Sequence, residues 1–253
     1  MGRPILLVRL EAPLQSWGAR SRWDVRDTET EPTKSGIIGL LGCALGYPMH
    51  DPRLETELDA GLRFGVRVEN PGRILEDYQT ITDFLPTAQG TYRHSGVRTG
   101  ASLAKLRADP DATPATIISP RFYLEDAAFL VALEERHGNH GLLARCAEAI
   151  QRPVWPLYLG RKACAPTRPI FDSFADQYDS IEEALGENGH RWSWMGAAFT
   201  ERRTHPERLT VCVEVEGSGG GAVRQDAMRI NPARQYGFRY EARQTVRAPD
   251  EEA

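Results

Sequence analysis

One predicted helix carries glycines at a spacing that weakens most helices. Residues 32–46 read PTKSGIIGLLGCALG, with glycine at three successive third positions beginning at Gly36. A glycine inside a helix costs about 1 kcal/mol relative to alanine, so this series indicates a backbone that lies very close to another part of the molecule. Thr33 or Ser35 can cap the first turn, whose free N–H groups together with Lys34 favour a phosphate. Two interpretations are open: a phosphate site at the helix start, or glycines that only let the helix pack tightly on a sheet.

Positive charge is concentrated in two tracts of an acidic chain. The formal net charge is −4, yet residues 85–108 and 149–171 contain no aspartate or glutamate. Each tract carries four cations, and His94 lies in the first: Arg93, Arg98, Lys105 and Arg107, then Arg152, Arg161, Lys162 and Arg168. This segregation indicates a localised site for a polyanion rather than general affinity for one.

Length and cysteine usage exclude several classes of protein. With 253 residues the chain can hold one large or two modest domains. Its four cysteines are scattered and lack the paired spacing of zinc ligands, which indicates reduced thiols in a cytoplasmic protein. No apolar segment approaches the roughly 20 residues of a membrane span, and the apolar part of residues 1–10 is too short for a signal peptide. We expect no metal, no cofactor and no membrane contact.

The order of predicted elements indicates an α+β fold. A buried strand over residues 4–10 precedes the glycine-rich helix. Alternating residues over 62–68 and 73–81 predict an antiparallel hairpin, and a strand region over 122–134 precedes a helix that ends near Ile150. With one further strand, this is the order of a ferredoxin-like (RRM-like) domain.

Residues 82–116 differ from their surroundings because they are polar and nearly lack large aliphatic side chains. Such a segment cannot build its own core, so we expect a long loop or ribbon that leaves the sheet, and its basic residues favour a functional role. We therefore predict an RRM-like domain over residues 1–165 that contains this insertion, and a small β-rich domain over residues 166–247. Residues 248–253 are expected to form a flexible tail.

Enzyme motifs are mostly missing from the sequence, which contains no nucleophile elbow, no phosphate-loop GK[ST] and no HExxH pattern. A metal-independent ribonuclease needs only a general base, an acid and a cation near a 2′-hydroxyl. Tyr92, Arg93 and His94 could supply these groups, as could Tyr47 with His50. The same side chains equally bind RNA without cutting it, and we expect a protein that is not an enzyme.

Four short motifs together resemble a known family. They are QSWG at residues 15–18, PTKSG at residues 32–36, DYQT at residues 77–80 and YLGRKAC at residues 158–164. In this combination and order the chain resembles the Cas-five family of CRISPR-associated proteins. A weaker match lies in the C-terminal strands.

The resemblance implies both a fold and a function. Members have an RRM-like domain with a protruding β-hairpin thumb, which here would be residues 82–116, and a small β-rich C-terminal domain. They are crRNA-binding subunits of type I CRISPR Cascade surveillance complexes, hold the 5′ handle of the mature crRNA and cap the filament of backbone subunits. The implied partners are the crRNA, the backbone subunits, the large subunit and, through the complex, the target DNA. Members from type I-E systems do not cut RNA. Because the type I-C branch processes crRNA itself, a metal-independent endoribonuclease acting on CRISPR repeat RNA is the alternative function.

The predicted RNA-binding residues come from the motifs and the basic tracts. They are Gln15, Ser16, Trp17, Arg20, Arg26, Lys34, Ser35, Gly36, Tyr92, Arg93, His94, Arg98, Arg161 and Lys162. The helix start would bind handle phosphates, the loop after Gly160 would add cations to the same surface, and the thumb would contact RNA and the adjacent backbone subunit. Trp17 could stack on a base, or it could be a core tryptophan beside the first strand. A purely structural assembly protein, whose basic tracts bind acidic protein surfaces, is a third interpretation.

Overall fold

The fold is described by a computed structural model over residues 2–18, 25–83, 85–86, 92–93, 103–110, 112–136, 141–191, 206–217, 221–230 and 234–249. The helices are α1 (Lys34–Leu45), a π-helix (Leu54–Asp59), α2 (Leu103–Ala108), α3 (Leu142–Gln151) and α4 (Ile181–Leu185). The strands are β1 (Ile5–Glu11), β2 (Leu14–Gln15), β3 (Leu62–Asn70), β4 (Arg73–Asp83), β5 (Leu85–Pro86), β6 (Tyr92–Arg93), β7 (Ala115–Glu125), β8 (Ala128–Glu135), β9 (Phe171–Ala175), β10 (Arg208–Val215), β11 (Ala222–Ile230) and β12 (Arg234–Arg247). None of the helices in these ranges has the length and apolar character needed to cross a bilayer.

Seven strands form one antiparallel sheet in the order β11–β12–β10–β3–β8–β1–β9. Within it, Val8 of β1 lies opposite Val131 of β8 on one side and Phe171 of β9 on the other. Every residue of β1 is buried, as expected for an apolar strand that is covered on both faces. A second sheet has the order β2–β7–β4, and β5 pairs with β6.

Helices cover both faces of this seven-stranded sheet. Side chains of a strand alternate between the two faces. Leu6 and Val8 share one core cluster with the apolar residues of α1 and α3. Ile5 and Leu7 belong to a second cluster, which contains the apolar residues of α4.

The predicted hairpin over residues 62–68 and 73–81 is wrong in its pairing. β3 pairs with β8 and β10, whereas β4 pairs with β7 in the second sheet. Burial explains the difference, because β3 is mostly buried and β4 is mostly exposed, so the two strands belong to different environments.

The C-terminal strands continue the main sheet. β10 pairs with β3, with Cys212 opposite Val66, and β12 and β11 follow. The predicted domain boundary near residue 165 stays a prediction. The pairing of β10 with β3 joins strands from the two sides of that boundary.

Among the described residues, the chain separates into two compact units. The first comprises Met1–Arg20, Asp27–Leu75 and Tyr123–Ala253, and the second comprises Ser21–Arg26 and Glu76–Phe122. The second unit contains most of β4 and β7, together with α2, β5 and β6. Within it the hydroxyl groups of Thr82 and Thr116 lie 2.9 Å apart.

Candidate nucleic-acid interface

The start of α1 is closed by one of the protein's own carboxylates. The Thr33 hydroxyl caps the helix by accepting a hydrogen bond from the Gly36 N–H at 3.2 Å. The Lys34 N–H donates to Asp226 Oδ2 at 2.8 Å. Asp226 is buried and pairs with Arg239 at 2.6 Å. Because an anionic group already occupies the helix start, the expectation of an RNA phosphate at this place is corrected.

The side chain of Lys34 also lies in the interior. It is 2% exposed, and its Nζ donates to the Asp59 carbonyl oxygen at 2.8 Å and to Glu214 Oε1 at 3.2 Å. Burial lowers the pKa of Lys34, while the carboxylates of Asp59 and Glu214 oppose that shift. Ser35 is buried too, with its hydroxyl 3.5 Å from Thr33 Oγ1. Both predicted RNA ligands therefore have structural partners inside the protein.

Trp17 is a core residue that lies against the first turn of α1. It is 1% exposed, which corrects the expectation that it stacks on a base. Its Nε1 donates to Gln15 Oε1 at 3.1 Å, and Gln15 Nε2 donates to the carbonyl oxygens of Ala127 at 2.7 Å and Leu10 at 3.2 Å. A methyl group at Gly36 would lie 2.9 Å from Cε3 of the indole. The structure therefore favours tight packing as the reason for this glycine, and we call Gln15, Trp17 and Gly36 the Trp17 cluster.

A loop that contains Arg161 and Lys162 is attached to this cluster through the backbone. The Ser16 N–H donates to the Leu159 carbonyl oxygen at 3.0 Å, and the Leu159 N–H donates to the Cys164 carbonyl oxygen at 2.8 Å. Gly160 has a φ of +99°, and a methyl group there would lie 1.8 Å from the Ser16 carbonyl oxygen. Both the dihedral angle and the close approach require glycine at this position. We call residues 160–163 the basic loop.

The two cations of the basic loop have different surroundings. The Arg161 guanidinium carbon lies 4.7 Å from the centroid of the Tyr123 ring, and its Nη2 donates to the Asp27 carbonyl oxygen at 3.2 Å. Lys162 is exposed. A guanidinium stacked on a ring is held in a defined orientation. The loop therefore combines one oriented and one solvent-exposed positive charge.

The remaining predicted RNA ligands are less completely placed. Arg26 is exposed in the second unit, where its N–H donates to the Pro120 carbonyl oxygen at 2.9 Å. Tyr92 and Arg93 form β6, of which only the backbone is described. Arg20, His94 and Arg98 lie outside the described residues. Their assignment to RNA stays a prediction.

Tyr47 is poorly suited to act as a base in the alternative ribonuclease pair with His50. Its O–H donates to Glu57 Oε2 at 3.0 Å, and Arg145 Nη2 donates to its oxygen at 2.8 Å. Burial raises the pKa of Tyr47, so the phenolate that would accept a proton is disfavoured.

Sequence reasoning missed a buried ion network on the sheet face opposite α1 and α3. Arg9 donates to Glu69 at 2.8 Å and to Asp172 at 2.6 Å, and Arg67 Nη2 donates to the other oxygen of Glu69 at 2.8 Å. His190 Nε2 lies 2.6 Å from Asp172. Burial alone would raise the pKa of Asp172, but His190 and Arg9 lower it to about 2. The available signal was the presence of charged residues at alternate positions of otherwise apolar strands.

One cluster has the residue types of a metal site. One ligand atom from each of Glu31, Cys212 and Glu241 lies within 4.8 Å of the others. Arg243 pairs with Glu31, and Arg224 lies 3.3 Å from the same carboxylate. Burial raises the pKa of Cys212 to about 12, so its sulfur is a thiol rather than the thiolate that a metal binds. Arginine side chains therefore supply the positive charge in this cluster.

A sequence model of the family described as CRISPR-associated protein (Cas_Cas5) matches residues 5–240, and the chain belongs to that family. This confirms the resemblance carried by the four motifs. The chain is also similar to the CRISPR system Cascade subunit CasD of Escherichia coli (strain K12), with 29% identity over 177 residues that cover 67% of this chain and 70% of the relative.

Two solved structures resemble the whole chain. One, described as the crystal structure of a Cas protein, has a TM-score of 0.60 and 30% identity, with 98% of each chain covered. The other belongs to a CRISPR RNA-guided surveillance complex and has a TM-score of 0.65 and 28% identity, with 97% of this chain and 91% of that chain covered. The mixed α and β fold with mostly antiparallel sheets is therefore a fold of this family.

Proposed function

We propose that this chain is the non-catalytic subunit of a type I Cascade surveillance complex that holds the 5′ handle of the crRNA and caps the filament of backbone subunits. Its similarity to a Cascade subunit over 67% of the chain is the observation that supports this most directly. The backbone subunits, the large subunit and, through the complex, target DNA are the further partners that this function requires. All of these act in the cytoplasm.

The topology supports the finer description of the fold. The elements β1, α1, β3, β8, α3 and β9 follow one another along the chain, and their strands lie in the sheet order β3–β8–β1–β9. A ferredoxin-like, RRM-like core with this connectivity is therefore our proposal. We assign the thumb to residues 82–116, which leave from β4 and return in β7.

The buried ion network limits where RNA can bind. An RRM binds single-stranded RNA on an open sheet face that carries aromatic residues. Arg9 and Arg67 lie on the face opposite α1 and α3, and both are buried among the protein's own groups. We therefore assign the RNA to the basic loop and the thumb.

Substitution of the basic loop is expected to change the salt dependence of RNA binding. Each of Arg161→Ala and Lys162→Ala should reduce the slope of log affinity against log salt by roughly 0.7, the contribution of one phosphate contact to a single strand. The measurement is fluorescence titration of the full chain with a labelled single-stranded RNA that carries the 5′ handle, at several salt concentrations.

Arg53→Ala is the matched control for this titration. Arg53 is also an arginine stacked on a tyrosine, with its guanidinium carbon 3.8 Å from the Tyr47 ring centroid, but it lies outside both basic tracts. Its substitution should leave the slope unchanged. An unchanged slope in both loop variants would remove the basic loop from the RNA interface.

The non-catalytic assignment has a direct test. The purified full chain, incubated with CRISPR repeat RNA in EDTA, is expected to leave the RNA intact. Of the two candidate sets, Tyr47 with His50 is disfavoured because burial raises the pKa of Tyr47 and its hydroxyl is bonded to Glu57 and Arg145; the same incubation tests Tyr92, Arg93 and His94. Denaturing gel electrophoresis reads the result. Accumulation of a discrete cleavage product would instead support the metal-independent endoribonuclease.

A further inference from the structure

We propose that the Trp17 cluster is a positioning device that sets the orientation of Arg161 and Lys162 toward RNA. This inference depends on the proposed role of the basic loop. It assigns to a buried tryptophan and a partly buried helix glycine an effect on RNA affinity that acts through the basic loop rather than through direct contact.

The first link is the backbone between Gln15 and Trp17. Both side chains are fully enclosed, and the hydrogen bond between them fixes the two residues on either side of Ser16. Ser16 in turn holds the loop twice, because its N–H binds Leu159 and its carbonyl oxygen lies where a Cβ of Gly160 would stand. A shift of Trp17 therefore moves the base of the basic loop.

The second link passes through the segment that precedes α1. The Trp17 N–H donates to Thr28 Oγ1 at 2.8 Å, and the Glu29 N–H donates to the Trp17 carbonyl oxygen at 2.8 Å. Asp27, which directly precedes Thr28, supplies the carbonyl oxygen that accepts a hydrogen bond from Arg161 Nη2. The segment that carries the hydrogen-bond acceptor of Arg161 is therefore also bonded to Trp17.

The third link is the ring under Arg161. Gln15 of β2 pairs with Leu124 of β7, and Tyr123 is the neighbouring residue of that strand. Two contacts that orient Arg161, with the Tyr123 ring and with the Asp27 carbonyl oxygen, therefore lie on segments bonded to Gln15 or Trp17. Gly36 enters because its missing side chain sets how far the indole can approach α1.

The test compares two glycines of one helix. Gly36→Ala places a methyl group against the rigid indole, whereas Gly42→Ala places one 2.3 Å from the flexible end of Leu54, a residue outside the three links. Thermal unfolding of each full-length variant measures stability, and the titration with handle RNA measures affinity and its salt slope. We expect Gly36→Ala to reduce the slope by roughly 0.7 to 1.4, as for one or two lost phosphate contacts, and Gly42→Ala to leave it unchanged.

A double-mutant cycle separates positioning from general destabilisation. In a chain that already carries Arg161→Ala and Lys162→Ala, Gly36→Ala should have no further effect on RNA affinity, because the cations that it would displace are gone. An additive loss of affinity overturns the inference. So does an unchanged affinity of Gly36→Ala when the loop substitutions weaken binding, and that outcome leaves the proposed role of the loop intact.

A second variant covers the case in which Gly36→Ala does not fold. Trp17→Phe keeps an aromatic ring in the core but removes the Nε1 donor to Gln15. It should lower the salt slope in the intact chain and have no effect on affinity in the chain that lacks both loop cations. If the loop substitutions themselves leave RNA binding unchanged, the proposed function of the loop fails and the inference fails with it.

Discussion

Lys34→Ala is expected to lower the free energy of unfolding by about 3–5 kcal/mol, the range for removing one partner of a buried ion pair. The substitution leaves the Asp59 carbonyl oxygen without its donor and takes the ammonium group away from the buried carboxylates of Asp59 and Glu214. Burial already raises the pKa of Asp59, and the charge of Lys34 opposes this, so the variant also makes ionised Asp59 more costly. Chemical denaturation of the full chain at neutral pH measures the loss.

Lys162→Ala is the control for this prediction, because Lys162 is exposed and its removal should change the free energy of unfolding by less than about 0.5 kcal/mol. The two substitutions should also differ in their effect on the salt dependence of RNA binding. The salt slope should fall for Lys162→Ala and stay unchanged for Lys34→Ala under conditions in which that variant is folded. A Lys34 variant with wild-type stability and a reduced salt slope would return the helix start to the RNA interface.

The sequence predicted the glycine-rich helix but not what closes its start. The helix signal is local, since the cap at Thr33 and the spacing of Gly36 and the later glycines lie within a few residues. The group that accepts the hydrogen bond of the Lys34 N–H is the carboxylate of Asp226, which lies 192 residues further along the chain. Phosphate and carboxylate satisfy the same free N–H groups, so the pattern at the helix start cannot distinguish a ligand from a distant acidic residue.

The strand pairing shows the same limit. Alternation over residues 62–68 and 73–81 correctly indicated two strands, but such a pattern does not specify that strands adjacent in the sequence will pair. β3 is buried and takes β8 and β10 as neighbours, whereas exposed β4 pairs with β7. Three of the four family motifs, the third more than a hundred residues after the first two, contribute to one place in the fold through Trp17, Gly36 and Gly160. The sequence signal for that convergence was the presence of glycine in each of the three motifs.

Asp172→Asn is expected to lower the free energy of unfolding at pH 7 by about 2 kcal/mol and to flatten its dependence on pH in acid. The folded pKa of Asp172 is about 2, below its ordinary value of 3.8, because His190 and Arg9 outweigh the effect of burial. A depressed folded pKa means that the unfolded chain binds the proton more readily. The stabilisation by Asp172 is therefore complete above about pH 5 and is lost as the pH falls toward 2. Urea denaturation at several pH values between 7 and 3 measures both effects.

Asp51→Asn provides the matched control, since Arg53 also lowers the pKa of Asp51 but this arginine is largely exposed to solvent. Screening by solvent and salt should make its substitution nearly neutral, and the acid branch of the stability curve should keep its wild-type slope. Both carboxylates are 11% exposed and pair with an arginine at 2.6–2.7 Å, so the contrast follows from their partners: Arg9 is 2% exposed and Arg53 is 53% exposed, and Asp172 also lies 2.6 Å from His190. If Asp172→Asn retained the wild-type slope in acid, the pairing of Asp172 with Arg9 and His190 would contribute no pH-dependent stability, and the folded pKa of about 2 would be wrong.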